Sequence, residues 1–171
     1  MSGAVQKKGF SYFQIITGML SRPGHFYESS LSDRDIKTPV LFLLISTAFF
    51  VSASLTVLKG NTFILIGILF VNTVTMPFIT AAVSVLFIRM FTGSAIGFMR
   101  IFSVHVFAGG TVLLAAWIPM IMWFTEPWKW ILIITGYVKG CGMTYMQAIV
   151  ISVITAGVII SGFQLLINNI I

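Results

Sequence analysis

His105 is the residue in this sequence with the clearest capacity for chemistry. It lies about two turns into a long apolar segment, where an imidazole could carry a proton or bind a ligand. The alternative is an imidazole that hydrogen-bonds to a carbonyl or hydroxyl group of a neighbouring helix. We therefore treat His105 as a candidate intramembrane functional residue, and of the two roles we expect the structural one.

The other residue types argue against most enzyme classes. From Val40 onward the only carboxylate side chain is that of Glu126, and Cys141 is the only cysteine. Metal-assisted hydrolysis needs three or more converging ligands. No serine has a histidine or lysine at a spacing that indicates a catalytic pair. There is neither a phosphate-binding loop nor a dinucleotide-binding motif. We therefore expect a protein that is not an enzyme, with no catalytic, metal-binding or cofactor-binding residue.

Composition indicates that these residues lie in a membrane. The chain has 171 residues, of which 58% are hydrophobic and 8% charged, and its mean hydropathy is +1.04. A water-soluble surface needs much more charge. The apolar run 39–58 does not alternate as the strands of a membrane β-barrel do. The predicted fold is an all-α integral membrane protein whose main partner is the lipid bilayer, and nucleic acid is not an expected partner.

Apolar runs between charged or turn residues predict a bundle of five transmembrane helices. They lie at about 39–58, 63–90, 98–124, 127–139 and 144–167, and together form a membrane domain over residues 38–171. We expect Thr38 to cap the first span. The fourth span has only about 13 residues, so it either crosses a thinned bilayer or is re-entrant. An interfacial turn is predicted at 125–130, ahead of this short span.

Residues 1–37 form a predicted cytoplasmic tail. Phe10, Phe13, Ile16 and Leu20 recur in it at helical spacing, which predicts a short amphipathic helix that ends at 22–24. This helix either lies in the membrane interface or packs on the bundle.

The basic residues predict the orientation. With five crossings and an inner N-terminus, most of the ten Lys and Arg residues fall on the inner side. These are Lys7, Lys8, Arg22, Arg34, Lys37, Arg89, Arg100 and Lys139, against Lys59 and Lys129 outside. The bias predicts a cytoplasmic N-terminus. Arg89, Arg100 and Lys139 lie near the inner ends of spans, where we expect contacts with anionic lipid headgroups.

The last span carries a stripe of small residues. Ala148, Ser152 and Ala156 recur every four residues, and Gly157 with Ser161 repeats the spacing on an adjacent stripe. Such stripes let helices approach closely and so predict a helix-packing face. Its partner is either another helix of this chain or a second protomer or membrane protein.

The order of these features resembles that of the Yip family, small polytopic membrane proteins named for interaction with Ypt/Rab GTPases. The resemblance rests on Leu-Ser-Arg-Pro at 20–23 with Phe26, on Phe102 and Ser103 ahead of a small-residue helix, and on the segment 137–144 leading to Ala148. Val106 departs from the pattern, since many members have proline there. The resemblance implies a five-helix membrane protein tied to membrane trafficking, shaping or protein sorting, and we expect it in the plasma membrane of a prokaryote.

Two functions follow as expectations. The first is a non-enzymatic, Yip-like adaptor or membrane organiser. The alternative is a small oligomeric channel or transporter for a neutral or anionic solute. That path would need polar groups to face one cavity, namely Asn72, Thr73, Thr75, His105 and Gln147.

Overall fold

The computed structural model describes residues 11–31, 35–57 and 62–170, and the regular elements in these ranges are helices. They are α1 (Tyr12–Ser21), α2 (Pro23–Ser30), α3 (Lys37–Ser54), α4 (Thr62–Thr92), α5 (Phe98–Ala116), α6 (Met122–Thr135), a π-helical turn (Gly136–Gly140) that continues α6, and α7 (Tyr145–Ile170). Four of them, α3, α4, α5 and α7, include segments that are long and apolar enough to cross a membrane. The chain is therefore an all-helical integral membrane protein.

Helix α5 forms the centre of the bundle. Residues 101–108 are buried without a break, although the segment is a single helix and would expose one face if it stood at an edge. Phe42 of α3 contacts Phe107, and Ser46, one turn later in α3, approaches Gly110. Because the contacting residues advance in the same direction along both helices, α3 and α5 are parallel.

Helices α1 and α2 form a hairpin (residues 12–30, the α1–α2 hairpin) that packs on the bundle, one of the two arrangements expected for the N-terminal helix. Its buried residues include Ile15, Met19 and Phe26, whereas Phe13 and Leu20 of the predicted apolar face are 77% and 57% exposed. Helix α2 was not predicted. The proline at 23, read as a stop signal, occupies the first position of this helix, where its missing N–H costs nothing.

The hairpin covers only one half of the bundle. The hydroxyl of Tyr12 is 3.2 Å from that of Ser46, and the ring of Phe26 meets that of Phe107 edge-on with 5.2 Å between centroids. Both partners lie near the midpoints of their helices, since Ser46 is the tenth of the 18 residues of α3 and Phe107 the tenth of the 19 of α5. The groove between α1 and α3 is also lined by residues from the first half of α3, between Lys37 and Ile45.

The predicted end of the third span and the predicted start of the fourth are wrong. Helix α5 ends at Ala116 rather than 124, the turn lies at 117–121, and α6 already begins at Met122. Glu126 was read as part of a turn because of its charge, but it lies inside α6, where its carboxylate accepts a hydrogen bond from Lys129 at 2.6 Å. Helix α6 and the π turn contribute 14 and 5 residues, together roughly 28 Å of helix.

The start of α3 also differs from the prediction. Thr38 lies inside α3 and Ile36 occupies the cap position. The carboxylate of Asp35 accepts hydrogen bonds from the backbone N–H of Lys37 at 3.2 Å and from the Thr38 hydroxyl at 2.8 Å. The gaps predicted between the second and third spans and between the fourth and fifth are present at 93–97 and 142–144, with Gly93 and Gly142 at positive φ. The predicted break at Lys59 and the first helix residue Phe10 lie outside the described residues.

Candidate functional site

His105 lies in a cluster of four polar side chains. Its Nε2 lies 2.8 Å from the hydroxyl of Tyr137 and 3.2 Å from Oγ of Ser84. Oγ of Ser84 is in turn 3.2 Å from Oγ1 of Thr155. These residues, which we call the His105 cluster, come from α5, the π turn, α4 and α7. One chain of hydrogen bonds therefore joins four separate elements.

The cluster lies deep in the bundle. Counted along the axes at 1.5 Å per residue, His105 is roughly 10 Å from the start of α5, Ser84 roughly 12 Å from the end of α4, and Thr155 roughly 15 Å from the start of α7. These three depths agree within one helical turn. The polar groups thus meet within the apolar zone of the bundle, far from either helix end.

The cluster is closed to its surroundings. The exposed fractions of Ser84, His105, Tyr137 and Thr155 are 0%, 5%, 0% and 1%. The imidazole and the phenol ring meet edge to face at 5.9 Å. Two surface grooves occur elsewhere, one between α4 and Phe163 and one between α1 and α3, and no residue of the cluster lines either of them.

The distances indicate how the protons are shared. The neutral imidazole offers one lone pair at an unprotonated nitrogen, so Nε2 accepts one strong hydrogen bond. The shorter contact of Nε2 is with the phenol of Tyr137, which is the donor in the tautomer whose Nε2 is unprotonated. The Ser84 hydroxyl can then donate to Oγ1 of Thr155. Each group has a partner, as buried polar groups in a bilayer require.

Ser84 and His105 are paired although no spacing in the sequence connects them. A hydrolytic serine–histidine pair needs an imidazole nitrogen free to take the serine proton and a path for the substrate. Here the same Nε2 is already held by the phenol of Tyr137, and Ser84 is fully buried. In this geometry the side chains form hydrogen bonds that hold helices together.

The α1–α2 hairpin supports the cluster from one side. The hydroxyl of Tyr27 donates to the carbonyl of Val104 at 3.4 Å, next to His105. A Cβ placed on Gly136, next to Tyr137, would come within 2.6 Å of Val104 and 3.1 Å of Tyr27. Glycine at 136 is therefore what lets the π turn approach both residues. Burial raises the pKa of Tyr27 well above its ordinary value, so its phenol stays neutral.

The small-residue stripe of α7 is divided by the structure. Ala148 and Ser152 are buried at 0% and 3% exposure and Ala156 is half-buried. Gly157 and Ser161 are exposed. The first part of the stripe therefore packs within the chain, beside Thr155 of the cluster, and the adjacent stripe does not.

The three basic residues near the helix ends differ in surroundings. Arg89 is exposed in the last turn of α4, and Arg100 is half-buried in the first turn of α5. The ammonium of Lys139 lies 3.4 Å from the carboxylate of Glu28, with both side chains about half exposed. Lys139 is thus engaged by a carboxylate of the hairpin, a contact that the lipid-headgroup expectation did not include.

The residues expected to line a solute path do not meet. Asn72 and Thr75 face outward in the groove beside Phe163, and the Thr73 hydroxyl bonds to the carbonyl of Leu69 on its own helix. The Gln147 side chain is exposed and accepts from the backbone N–H of Thr144. Only His105 of this set lies in the interior.

Three members of the cluster, Ser84, Tyr137 and Thr155, were missed in the sequence. The available signal was hydroxyl groups inside apolar spans, but many serines and threonines there bond to their own helix, as Thr111 does to Phe107.

No family model, no curated protein and no solved structure matches this chain.

Proposed function

We propose that this chain is a non-enzymatic membrane organiser or adaptor, similar to the Yip family, that acts in membrane shaping, trafficking or protein sorting. The observation that carries the proposal is the position of the α1–α2 hairpin. It packs beside the first halves of α3 and α5 and turns Phe13 and Leu20 outward. The chain therefore has a larger cross-section at one level than at the other, and such a wedge favours curved bilayers.

The His105 cluster supports this proposal in a second way. Its polar atoms are used in hydrogen bonds between α4, α5, α7 and the π turn. Bonds of this kind hold helices in fixed positions where lipid supplies no hydrophobic drive for their association. A wedge can bend a bilayer only if it keeps its shape, and the cluster supplies that rigidity.

The proposal includes an orientation. We place the N-terminus in the cytoplasm of a prokaryote because of the basic bias, which puts the hairpin in the inner leaflet. Helix α6 with the π turn is then the fourth of five crossings, and its roughly 28 Å suits a bilayer core of about 30 Å. Arg89 and Arg100 are the proposed contacts for anionic headgroups.

The test is reconstitution of the full chain in vesicles of phosphatidylcholine and phosphatidylglycerol, with vesicle diameter measured by electron cryomicroscopy. We expect smaller or tubular vesicles as the protein-to-lipid ratio rises. The double variant Phe13→Ala/Leu20→Ala should weaken the effect, because both side chains are on the lipid side of the hairpin.

A matched control removes similar exposed bulk from α7, in Val153→Ala/Ile160→Ala, whose side chains are 66% and 59% exposed. This control should shape vesicles as the parent does. Vesicles that keep their diameter at every ratio of parent protein, together with no membrane-protein partner in crosslinking, would rule the proposal out.

A channel or transporter for a neutral or anionic solute is the second candidate. This candidate depends on the four hydrogen-bonded side chains deep in the bundle, and a path to them would have to open because they are buried in this structure. Solute flux into vesicles that is lost in His105→Ala and kept in His25→Ala would favour this function over the first. His25 is a suitable control because it is exposed on α2.

A further inference from the structure

One face of α4 is exposed along most of its length. Its residues are spaced alternately by four and three positions, and all six are exposed in the described structure: Ile68, Asn72, Thr75, Ile79, Ala82 and Leu86. We call this set the α4 seam. Alternating spacings of four and three are the pattern by which two helices pack in a left-handed pair. The six residues stay exposed in the described chain, and Phe163 of α7 lines a groove beside four of them.

Asn72 makes this face unsuited to lipid alone. Nine apolar residues, 63–71, precede it on α4, so it lies roughly 13 Å from the apolar end of the helix and inside the hydrocarbon. Its side chain is exposed and makes no hydrogen bond among the residues that the structure describes. An amide without a partner in hydrocarbon is costly, which means that a bound state supplying a partner is favoured.

We propose that two copies of this chain associate in the membrane through the α4 seam, with the carboxamides of the two Asn72 residues hydrogen-bonded to each other. A carboxamide has both donors and an acceptor, so it is complementary to a copy of itself across a two-fold axis. Copies inserted in the same orientation present parallel α4 helices, and a single asparagine in such a seam sets register and number of strands.

The small residues of the seam fit this partner. Ala82 and Thr75 are short, and a Cβ placed on the nearby Gly67 would meet nothing within 4 Å. Two α4 helices can therefore approach closely along this side. A lipid headgroup does not fit, because Asn72 is uncharged and lies within an apolar run. The inference goes beyond the proposed function, since association is measured whether or not vesicles change shape.

Disulfide crosslinking of the full chain tests the geometry. Cys141→Ser removes the only cysteine, and Ile68→Cys then places a thiol on the seam. Phe70→Cys is the matched control, because it is two residues away, is 40% exposed, and points to the opposite side of α4. In phosphatidylcholine vesicles treated with a mild oxidant, we expect a crosslinked dimer from Ile68→Cys and little from Phe70→Cys.

Dilution in lipid tests the energetics. Fluorescence energy transfer between labelled copies should show that Asn72→Ala raises the dissociation constant roughly three- to thirty-fold, the range for an interhelical hydrogen bond in a bilayer. Phe70→Ala should change it less than two-fold. Circular dichroism of each variant checks that its helices are intact.

Three results would overturn the proposal. They are equal crosslinking from the two cysteine positions, a parent protein that is monomeric at every lipid dilution, and an Asn72→Ala dissociation constant within two-fold of the parent. A crosslink in cells whose mass differs from that of two copies, with none at the mass of two copies, would also overturn it by identifying a different partner.

Discussion

Nε2 of His105 lies 2.8 Å from the phenol oxygen of Tyr137, and this contact joins the central helix α5 to the π turn. The π turn has an extra residue relative to an α-helical turn, and such turns often occur at functional sites. Here it places a tyrosine of a peripheral helix against the one histidine in the candidate spans. The same four-element tie fixes the positions of α4 and α7 through Ser84 and Thr155.

Removal of the imidazole should destabilise the bundle. His105→Ala leaves the hydroxyls of Tyr137 and Ser84 without their shared partner, and we expect the free energy of unfolding to fall by about 0.5–2 kcal/mol per lost bond. The measurement is reversible unfolding in mixed micelles, followed by circular dichroism. His25→Ala, on the exposed side of α2, should be neutral. In a double-mutant cycle with Tyr137→Phe, additive effects would contradict a direct bond.

Gly110→Ala and Gly109→Ala should differ although the residues are adjacent. A Cβ at Gly110 would lie 2.6 Å from the ring of Phe42 and 3.3 Å from Oγ of Ser46. Phe42 is 1% exposed, between the rings of Tyr12 and Phe107, so it cannot move aside easily. We expect Gly110→Ala to cost about 1–3 kcal/mol.

A Cβ at Gly109 would meet nothing within 4 Å, so Gly109→Ala should be neutral or stabilise α5 by up to about 1 kcal/mol. Thermal unfolding of both variants in the same detergent provides the comparison. Equal losses at the two positions would mean that α3 does not approach α5 as described.

Tyr27 should make the protein sensitive to alkali. Burial raises the pKa of its phenol above the value of about 10 that it has in the unfolded chain. The folded state therefore holds this proton more tightly, so the contribution to stability is complete below pH 10 and is lost as the pH rises further. The slope for one such group is about −1.4 kcal/mol per pH unit.

The check is the free energy of unfolding between pH 8 and 11, in the parent and in Tyr27→Phe. The variant lacks the ionisable group but keeps the ring against Gly136, so its decline above pH 10 should be shallower. Parallel curves would show that Tyr27 is not buried in the folded protein.

The course of α6 can be tested by topology. If residues 122–140 cross the bilayer and the N-terminus is cytoplasmic, the C-terminus lies outside. An alkaline phosphatase fused to the C-terminus should then be active, and the same enzyme fused within the loop at 93–97 should be inactive. An inactive C-terminal fusion would make α6 a re-entrant segment.

The sequence predicts the helices that follow from the length of an apolar run. It does not predict features that depend on contacts between residues distant in the sequence. The runs that became α3, α4, α5 and α7 are recognisable because only a helix satisfies the backbone within lipid. The start of α6 was misplaced, because the acid, the proline and the two tryptophans at 125–130 predict an interfacial turn, whereas the structure has these residues inside α6. There Glu126 pairs with Lys129 one turn later.

The hairpin and the cluster show the same limit. Helical spacing in the N-terminal segment allows two apolar faces, and contact with the bundle selects Ile15 and Met19 over Phe13 and Leu20. His105 could be singled out by its type and depth. Its partner Tyr137 could not, because the two residues are brought together by the docking of the π turn on α5.

The unequal lengths of α4 and α5 affect which bilayer thickness suits the protein best. Helix α4 has 31 residues and α5 has 19, roughly 46 Å against roughly 28 Å. In a thin bilayer α4 must tilt strongly to keep its apolar end within the hydrocarbon. In a thicker bilayer it needs less tilt. The free energy of the protein in a bilayer should therefore depend on hydrocarbon thickness, so the protein should distribute unevenly among regions of different thickness.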